Sequence, residues 1–386
     1  MIKYTYLRIP AHPDVHVLRS DREQKTVESL PILDLHYYLH LSARTDYGIA
    51  LIGCGGIANY AHLPAYKLHG LRVVGCYDID RQAAQETAAR HGIPRVYETL
   101  DAALADPDVQ ICDIAVPAWH QRAIDEQAVT AGKHLLCQKP LSENLADAEA
   151  IVDIARRAGR KVAASQQMRW SPAIAAARDL IQRGFIGQPA AAQILVSITT
   201  PWHMWPWLQA HPYRDLMCHS IHCLDSLRYL FGDPAWVTSR HAHYPGQQER
   251  AETKTITVLD YDSGLQALLA VNHHDHSGDT YATFRFLGTE GVIKGIIGLR
   301  YDYPLGRPDS LQCHSMTTAP DMWFDVRLEG RWIPDAFIGP MASLMETIQV
   351  DGTLLTDAAD NLQTLRLVHA AYRSAADHRS VRPAEL

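Results

Sequence analysis

The chain has 386 residues, 47% of them apolar and 20% charged, and 36 Lys and Arg against 43 Asp and Glu leave a formal net charge of −7. This length accommodates two or three domains, and the ordinary apolar content excludes a disordered or fibrous chain. The acidic balance argues against nucleic acid and against an anionic membrane surface as partners, since both recruit basic patches.

Residues 1–45 carry His12, His16, His36 and His40 among scattered prolines and fit neither of the patterns that follow. A weak apolar rhythm over Leu30–Leu41 favours an ordered arm. Residues 1–25 lack the apolar centre of a signal peptide, and no run approaches the ~18 apolar residues of a membrane span, so a cytoplasmic protein is expected. The seven cysteines, an odd number dispersed along the chain, read as reduced thiols rather than a disulfide framework.

Residues 46–166 alternate short apolar runs with longer segments of helical spacing. Tyr47–Ile52, Leu71–Tyr77, Ile111–Val116, His134–Cys137 and Lys161–Ser165 read as strands. Ile57–His69, Arg81–His91, Gln121–Ala131 and Asn144–Ala158 read as the helices between them. Such alternation predicts a parallel sheet with right-handed crossovers. Straight after the first strand stands Gly53-Cys54-Gly55-Gly56-Ile57-Ala58, a G-x-G-x-x-A turn opening a helix. The first glycine permits the turn, the second lets backbone approach a pyrophosphate, and small Ala58 lets helix and strand pack. The helix N-terminus offers free N–H groups and a positive dipole end to phosphates. Asp78 ends the second strand, at the offset where a carboxylate receives ribose hydroxyls and repels a 2′-phosphate. NAD is therefore expected over NADP, although Arg81 is placed to receive a phosphate.

Residues 167–386 change texture. A helix over Ala173–Arg183 leads to a long strand, Ala190–Thr200, and a helix near Met217–Phe231. Strands follow at Trp236–Ala242, Lys254–Leu259, Leu265–Val271, Tyr281–Leu287 and Val292–Ile297, with turn signals such as Asp262-Ser263-Gly264 between them. Ser343–Gln349 and Ala358–Ala376 read as closing helices. The fold class is α/β: a Rossmann dinucleotide-binding domain, then an α+β domain with an open, largely antiparallel sheet.

Several motifs together resemble one family. These are Gly53–Ala58, Val116-Pro117, the run Ala131-Gly132-Lys133-His134-Leu135-Leu136-Cys137-Gln138-Lys139-Pro140, then Arg169-Trp170-Ser171-Pro172, His222 with Asp225, and Gly288-Thr289-Glu290-Gly291. They resemble the Gfo/Idh/MocA group of glucose–fructose oxidoreductase and inositol dehydrogenase, with Gln138 where that group usually has Glu. The resemblance implies NAD(P)-dependent oxidation or reduction of sugars, sugar acids or cyclic polyols, and a homodimer or homotetramer formed through the C-terminal sheet. It also implies Lys139 orienting substrate and nicotinamide, with His222 as proton acceptor. Where many members have Asp four residues before that histidine, this chain has Cys218, so Asp215 and Asp225 are the candidate replacements.

The residues can be read for chemistry directly. Lys139, after a buried strand at the carboxyl edge of the sheet, is near apolar walls that lower an amine pKa. His222 has the ring that ordinarily titrates near neutrality. Gly53, Gly55, Gly56, Ile57, Ala58, Asp78, Pro117, His120 and Lys139 form the expected cofactor set, with Trp119 beside it. Arg169, Trp202, His203, His219 and His222 are the candidate substrate residues. Arg169 suits either a substrate oxygen or a structural salt bridge. Trp202-His203-Met204-Trp205-Pro206-Trp207 suits either stacking on a sugar ring or an interface between copies. His273-His274-Asp275-His276 reads as a solvated or substrate-lining loop. Cys218 with His222 and His219 with Cys223 have chelating i,i+4 spacing, yet they point to adjacent faces, and no metal is expected. The other functional readings are an NAD-dependent glycosidase that oxidises transiently, and a non-catalytic dinucleotide or sugar sensor.

Overall fold

A computed structural model describes residues 15–18, 33, 35–37, 41, 44–248, 250–303 and 306–386. His12 and His40 lie outside the described residues. Among the described residues the earliest element is a strand, β1 (Val15–Leu18), followed by β2 (Ile49–Ile52). A π-helical turn, Ala58–His62, runs into α1 (Leu63–Leu68), then come β3 (Val73–Tyr77), α2 (Arg81–His91) and α3 (Leu100–Ala105). The first half closes with β4 (Ile111–Ile114), α4 (Ala118–Thr130), β5 (His134–Gln138), α5 (Leu145–Ala158) and β6 (Val162–Ser165).

The parallel sheet has the order β3-β2-β4-β5-β6, and a lone parallel bridge from Cys76 to Val96 marks a further edge position beyond β3. Strands β2, β4 and β6 are buried along their length, and β5 at all but His134, as their mostly apolar composition demands. Helix caps match the local sequence. Asp80 accepts from the Gln82 and Ala83 N–H groups at the start of α2, Asn144 caps α5 through Asp147 N–H, and Gly92 and Gly159 end these helices in left-handed geometry. The chain reverses its order of strand addition between β2 and β4, so the loops after β2, β3, β4 and β5 gather at one carboxyl edge.

The second half comprises α6 (Pro172–Gln182), β7 (Pro189–Ser197), α7 (Ile221–Phe231), β8 (Trp236–Ala242), β9 (Lys254–Asp260) and β10 (Gln266–Asn272). It continues with β11 (Tyr281–Gly288), β12 (Gly291–Ile296), β13 (Ser310–Ser315), β14 (Ala319–Val326), α8 (Ile338–Val350) and α9 (Ala358–Asp377). The nine-stranded sheet of the described residues runs β1-β14-β13-β12-β11-β7-β10-β9-β8, antiparallel except where β7 lies parallel to β10. Alternating burial along β9, β10 and β11 gives the sheet one packed face. Helices α6, α7 and α9 cover it, and buried Leu227, Leu365 and Val368 extend its core.

Two expectations change. Strands β13 and β14, unmarked by the sequence pattern, complete the sheet. The leader, assigned to neither half, contributes β1, which pairs antiparallel with β14 from Val15–Val326 to Leu18–Trp323. Its later residues dock too: Leu33, Leu35, Tyr37 and Leu41 pack on the core, and the His36 N–H donates to Asp179 Oδ2 at 3.1 Å. No helix among the described residues is long and apolar enough to cross a membrane.

Candidate functional site

The turn after β2 is built around Gly53, whose φ is +98°. A Cβ there would lie 2.7 Å from the Ala115 carbonyl oxygen, so both backbone conformation and the close approach of the β4 end require glycine. Gly55 differs, because a Cβ on it would meet no protein atom within 4 Å. The chain's own packing therefore does not require glycine there, and the space beside it is open, as a pyrophosphate cradle would need. Asn59 pins this loop by donating Nδ2–H to the Cys54 and Gly55 carbonyls at 2.9 and 3.0 Å, a role the sequence did not announce. Ala58 is fully buried where helix meets sheet.

Asp78 stands at the tip of β3 with Oδ2 accepting the Cys54 N–H at 2.7 Å and Oδ1 accepting the Asp80 N–H at 2.8 Å. The carboxylate is thereby fixed beside the glycine turn. Next to it Ile79 is 94% exposed, an apolar surface suited to the flat face of an adenine. Arg81, the residue placed to favour a 2′-phosphate, is already paired with Glu98. Pro117 precedes the first residue of α4 and His120 is exposed in its first turn, at the same edge. The residues present therefore fit a dinucleotide with free ribose hydroxyls. Asp78→Ala is expected to raise the KM for NAD at least tenfold, the worth of one charge-assisted hydrogen bond, while leaving the KM for NADP unchanged or lower. Initial-rate kinetics with both cofactors checks this.

Lys139 emerges at the end of β5, and its ammonium donates to the Cys218 carbonyl oxygen at 2.5 Å. Burial of the amine, with Arg300 adding to it, brings its pKa down to about 8, although the Cys218 side opposes the shift. The backbone on either side is held by Gln121, whose Nε2 donates to the Gln138 and Pro140 carbonyls at 2.7 and 3.0 Å. Cys218 thus meets Lys139 through its backbone. Burial pushes its thiol up to about 12, so no thiolate replaces the aspartate of the related sequences.

His222, on α7, packs edge-on against Trp332 with ring centroids 5.2 Å apart, and its Nδ1 is buried with no hydrogen-bond partner. Burial, reinforced by Lys139 and Arg300, holds its pKa well below the ordinary histidine value. His219 lies among Trp202, Trp205 and His273, with ring centroids 5.0, 5.8 and 5.1 Å away, and its Nδ1 is also unpartnered. Arg300 donates from Nη2 to the His219 carbonyl at 3.1 Å and keeps Nε buried without a partner. Tyr303 reaches the same wall, 5.3 Å from Trp205. Arg300, Tyr303 and Trp332 were not visible as site residues in the sequence. They arrive from segments more than 75 positions after His222, carried there by the sheet.

The other candidates separate. Trp202 is buried at this wall, with the Arg214 guanidinium 4.6 Å from its ring, whereas His203 is exposed to solvent and Trp205 takes the place expected of it. Trp119 stacks on His211 at 5.6 Å and meets Trp207 at 5.4 Å, forming an aromatic seam between the halves, with both tryptophans 47% exposed. Arg169 is corrected from substrate ligand to structural residue. Its Nε and Nη2 donate to both oxygens of Asp225 at 2.7 Å, Nη2 also meets Asp360, and Nη1 donates to the Leu355 carbonyl, so four of its five N–H groups are engaged within the protein. The same contacts remove Asp225 as a partner of His222. Asp215 is removed as well, because it is fully buried and accepts from His273 Nε2, Ser220 and Thr255. Among the described residues no group of three His, Cys, Asp or Glu side chains could hold a metal ion.

Residues 47–166 match an oxidoreductase family described as having an NAD-binding Rossmann fold, and residues 174–294 match the GFO/IDH/MocA C-terminal domain. The chain is similar to D-apiose dehydrogenase of Paraburkholderia graminis, 29% identical over 86% of this chain and 88% of the relative. It is also similar to D-apiose dehydrogenase of Rhizobium rhizogenes, 28% identical over 86% and 96%. An Agrobacterium radiobacter oxidoreductase solved with NAD+, L-tartaric acid and magnesium superposes with a TM-score of 0.78 at 25% identity, over 88% of this chain and 99% of that one. A levoglucosan dehydrogenase solved with NADH and L-sorbose shares the fold, with a TM-score of 0.75 at 22% identity over 88% and 99%.

Proposed function

The chain belongs to the Gfo/Idh/MocA family of oxidoreductases, and from that premise we propose that it is an NAD(P)-dependent dehydrogenase of a sugar, sugar acid or cyclic polyol hydroxyl, with NAD as the preferred cofactor. One observation carries the reading. Lys139, its amine tuned to about 8, stands at the carboxyl edge of the dinucleotide-type sheet, against a wall where His219 Nδ1, His222 Nδ1 and Arg300 Nε are buried and unpartnered. Three orphaned polar groups beside a base suit a ligand bearing several hydroxyls, since buried polar groups are otherwise paired.

Nicotinamide bound at the glycine turn supplies the hydride acceptor. The protein supplies the rest. The turn at Gly53–Ala58 and the helix N-terminus receive the pyrophosphate, and Asp78 receives ribose hydroxyls. Neutral Lys139 keeps an N–H on the Cys218 carbonyl and takes the proton of the reacting hydroxyl through its lone pair. A pKa near the working pH suits that role better than the depressed pKa of His222 does. His222, His219 and Arg300 hold the neighbouring hydroxyls, and Trp202 with Trp205 offers the apolar face of the sugar a flat surface.

The compounds named with the relatives define the first panel: D-apiose, levoglucosan and L-tartrate, joined by inositols and common aldoses, with 1,5-anhydro-D-fructose tested in the reverse direction with NADH. We expect NADH absorbance to grow with at least one of them in the presence of NAD. Tight NAD binding without turnover of any member would overturn the reading. We further propose that copies associate through the uncovered face of the large sheet, where Gln193, Leu195, Thr283, Arg285, Lys294 and Ile296 line a shallow cavity. The seven unbridged cysteines support a reducing, cytoplasmic setting.

A further inference from the structure

Behind Lys139 lies a polar chain that the proposed chemistry does not use. The Lys139 N–H donates to Gln138 Oε1 at 2.8 Å, Gln138 Nε2 lies 3.0 Å from His62 Nε2, and His62 Nδ1 lies 2.8 Å from Asp113 Oδ2. Gln138, His62 and Asp113 are all buried. A backbone N–H can only donate, which determines every direction in the chain. The Gln138 oxygen must face Lys139, so its NH2 must face His62. The His62 Nε2 must then accept, the ring proton must sit on Nδ1, and the Asp113 carboxylate must receive it. Tyr66 OH donates to the same Asp113 oxygen at 2.8 Å.

We infer that the buried chain Asp113–His62–Gln138 is a positioning device for Lys139, and that with a neutral His62 ring it works only with an amide at position 138. The three side chains come from β4, the turn before α1 and β5, so the chain ties the strand bearing Lys139 to the helix that begins at the glycine turn. It links the reacting amine to the cofactor-binding loop without touching either substrate or cofactor. A carboxylate at position 138 would accept at both oxygens. The His62 ring would then have to carry two protons, one towards Asp113 and one towards the new carboxylate. The groups facing His62 are Asp113 from β4, Tyr66 from α1, Gln138 from β5 and the Phe337 ring at 5.1 Å. Burial and Asp113 keep the Tyr66 phenol protonated, so Tyr66 remains a donor to Asp113. No other carboxylate among these neighbours competes for the ring.

The inference rests on Lys139 as the acting residue, but its first readout needs no turnover. In protein labelled with 15N-histidine, with His62→Asn to assign the signal, we expect the neutral Nδ1–H tautomer. The Nε2–H tautomer would overturn the chain whatever the enzyme's substrate is. In Gln138→Glu both ring nitrogens should be protonated, and a ring that stays singly protonated in this variant would also count against the chain. With a working substrate, Gln138→Leu should lower kcat roughly 10- to 100-fold, as loss of a residue supporting a catalytic group does elsewhere, with the Kd for NAD unchanged. Gln138→Glu should approach the wild-type rate at low pH and lose it as pH rises, because removing one ring proton sets a lone pair against a carboxylate. Both enzymes need Lys139 to lose its proton, so the ratio of the Gln138→Glu rate to the wild-type rate is expected to fall as pH rises. Parallel profiles for the wild type and Gln138→Glu would overturn the inference.

Discussion

On the proposed reading, Lys139→Met is expected to lower kcat for substrate oxidation about 10³-fold, within the ~10²–10⁴-fold that a positioned acid–base group contributes, and to leave the Kd for NAD within a factor of about two. The wild-type rate of oxidation is then expected to rise with pH and level off above about 8, since the neutral amine would be the acting form and burial lowers its pKa to about that value. Reduction runs the other way and needs the ammonium, so its rate falls through the same interval. In Lys139→Met both limbs disappear. Methionine keeps the length and much of the volume of the lysine stem, and it leaves the Cys218 carbonyl as the group that lost a donor. His222→Asn acts differently: its ring is depressed well below the working range, so the loss falls mainly on KM for the hydroxyl compound. Initial rates across pH, together with NAD titration by fluorescence, separate these effects. A Lys139→Met enzyme within tenfold of the wild type, or one that retains the limb near 8, would move the proton acceptor elsewhere.

What could be read in advance divides along a physical line. The turn at Gly53–Ala58, Asp78 and the strands around them depend on local rules of turn geometry, apolar runs and helix caps, and their placement follows the sequence closely. The place of Lys139 at the end of β5 was legible for the same reason, since the end of a buried strand in a parallel sheet is the ligand edge. Arg300, Tyr303 and Trp332 depend on the long-range path of the sheet, which no local pattern encodes. Arg169 shows the complementary difficulty: guanidinium chemistry fits a substrate or a salt bridge equally, and only the positions of Asp225 and Asp360 decide. Cys218 carried no readable signal because the chain uses its carbonyl, which any residue provides. Strand β13 (Ser310–Ser315) does alternate Leu311 and Cys313 with polar residues, but over only two apolar positions, and β14 (Ala319–Val326) carries Pro320, which argues against a strand.

Asp125→Asn is expected to stabilise the protein at alkaline pH, on the order of 5 kcal/mol, and to change little near pH 4. Asp125 lies on α4 with its side chain buried, and neither oxygen has a hydrogen-bond partner. Burial raises its pKa from 3.8 to about 8, the adjacent Cys137 thiol offsetting part of the rise. The sign follows from proton counting. Between these two values the folded chain holds a proton that the unfolded chain has released, so stability falls as pH rises from about 4 to about 8 and is level beyond. At about 1.4 kcal/mol per unit, roughly four units give the stated order of magnitude. Asparagine has nearly the same shape and no charge to desolvate, so the variant resembles the protonated acid at every pH. Urea unfolding of both proteins at pH 5, 7 and 9 should therefore give curves that diverge as pH rises, the wild type losing stability faster. If both lose stability in parallel, the Asp125 carboxyl has found solvent or a partner in the folded state. The alkaline loss would then belong to other groups.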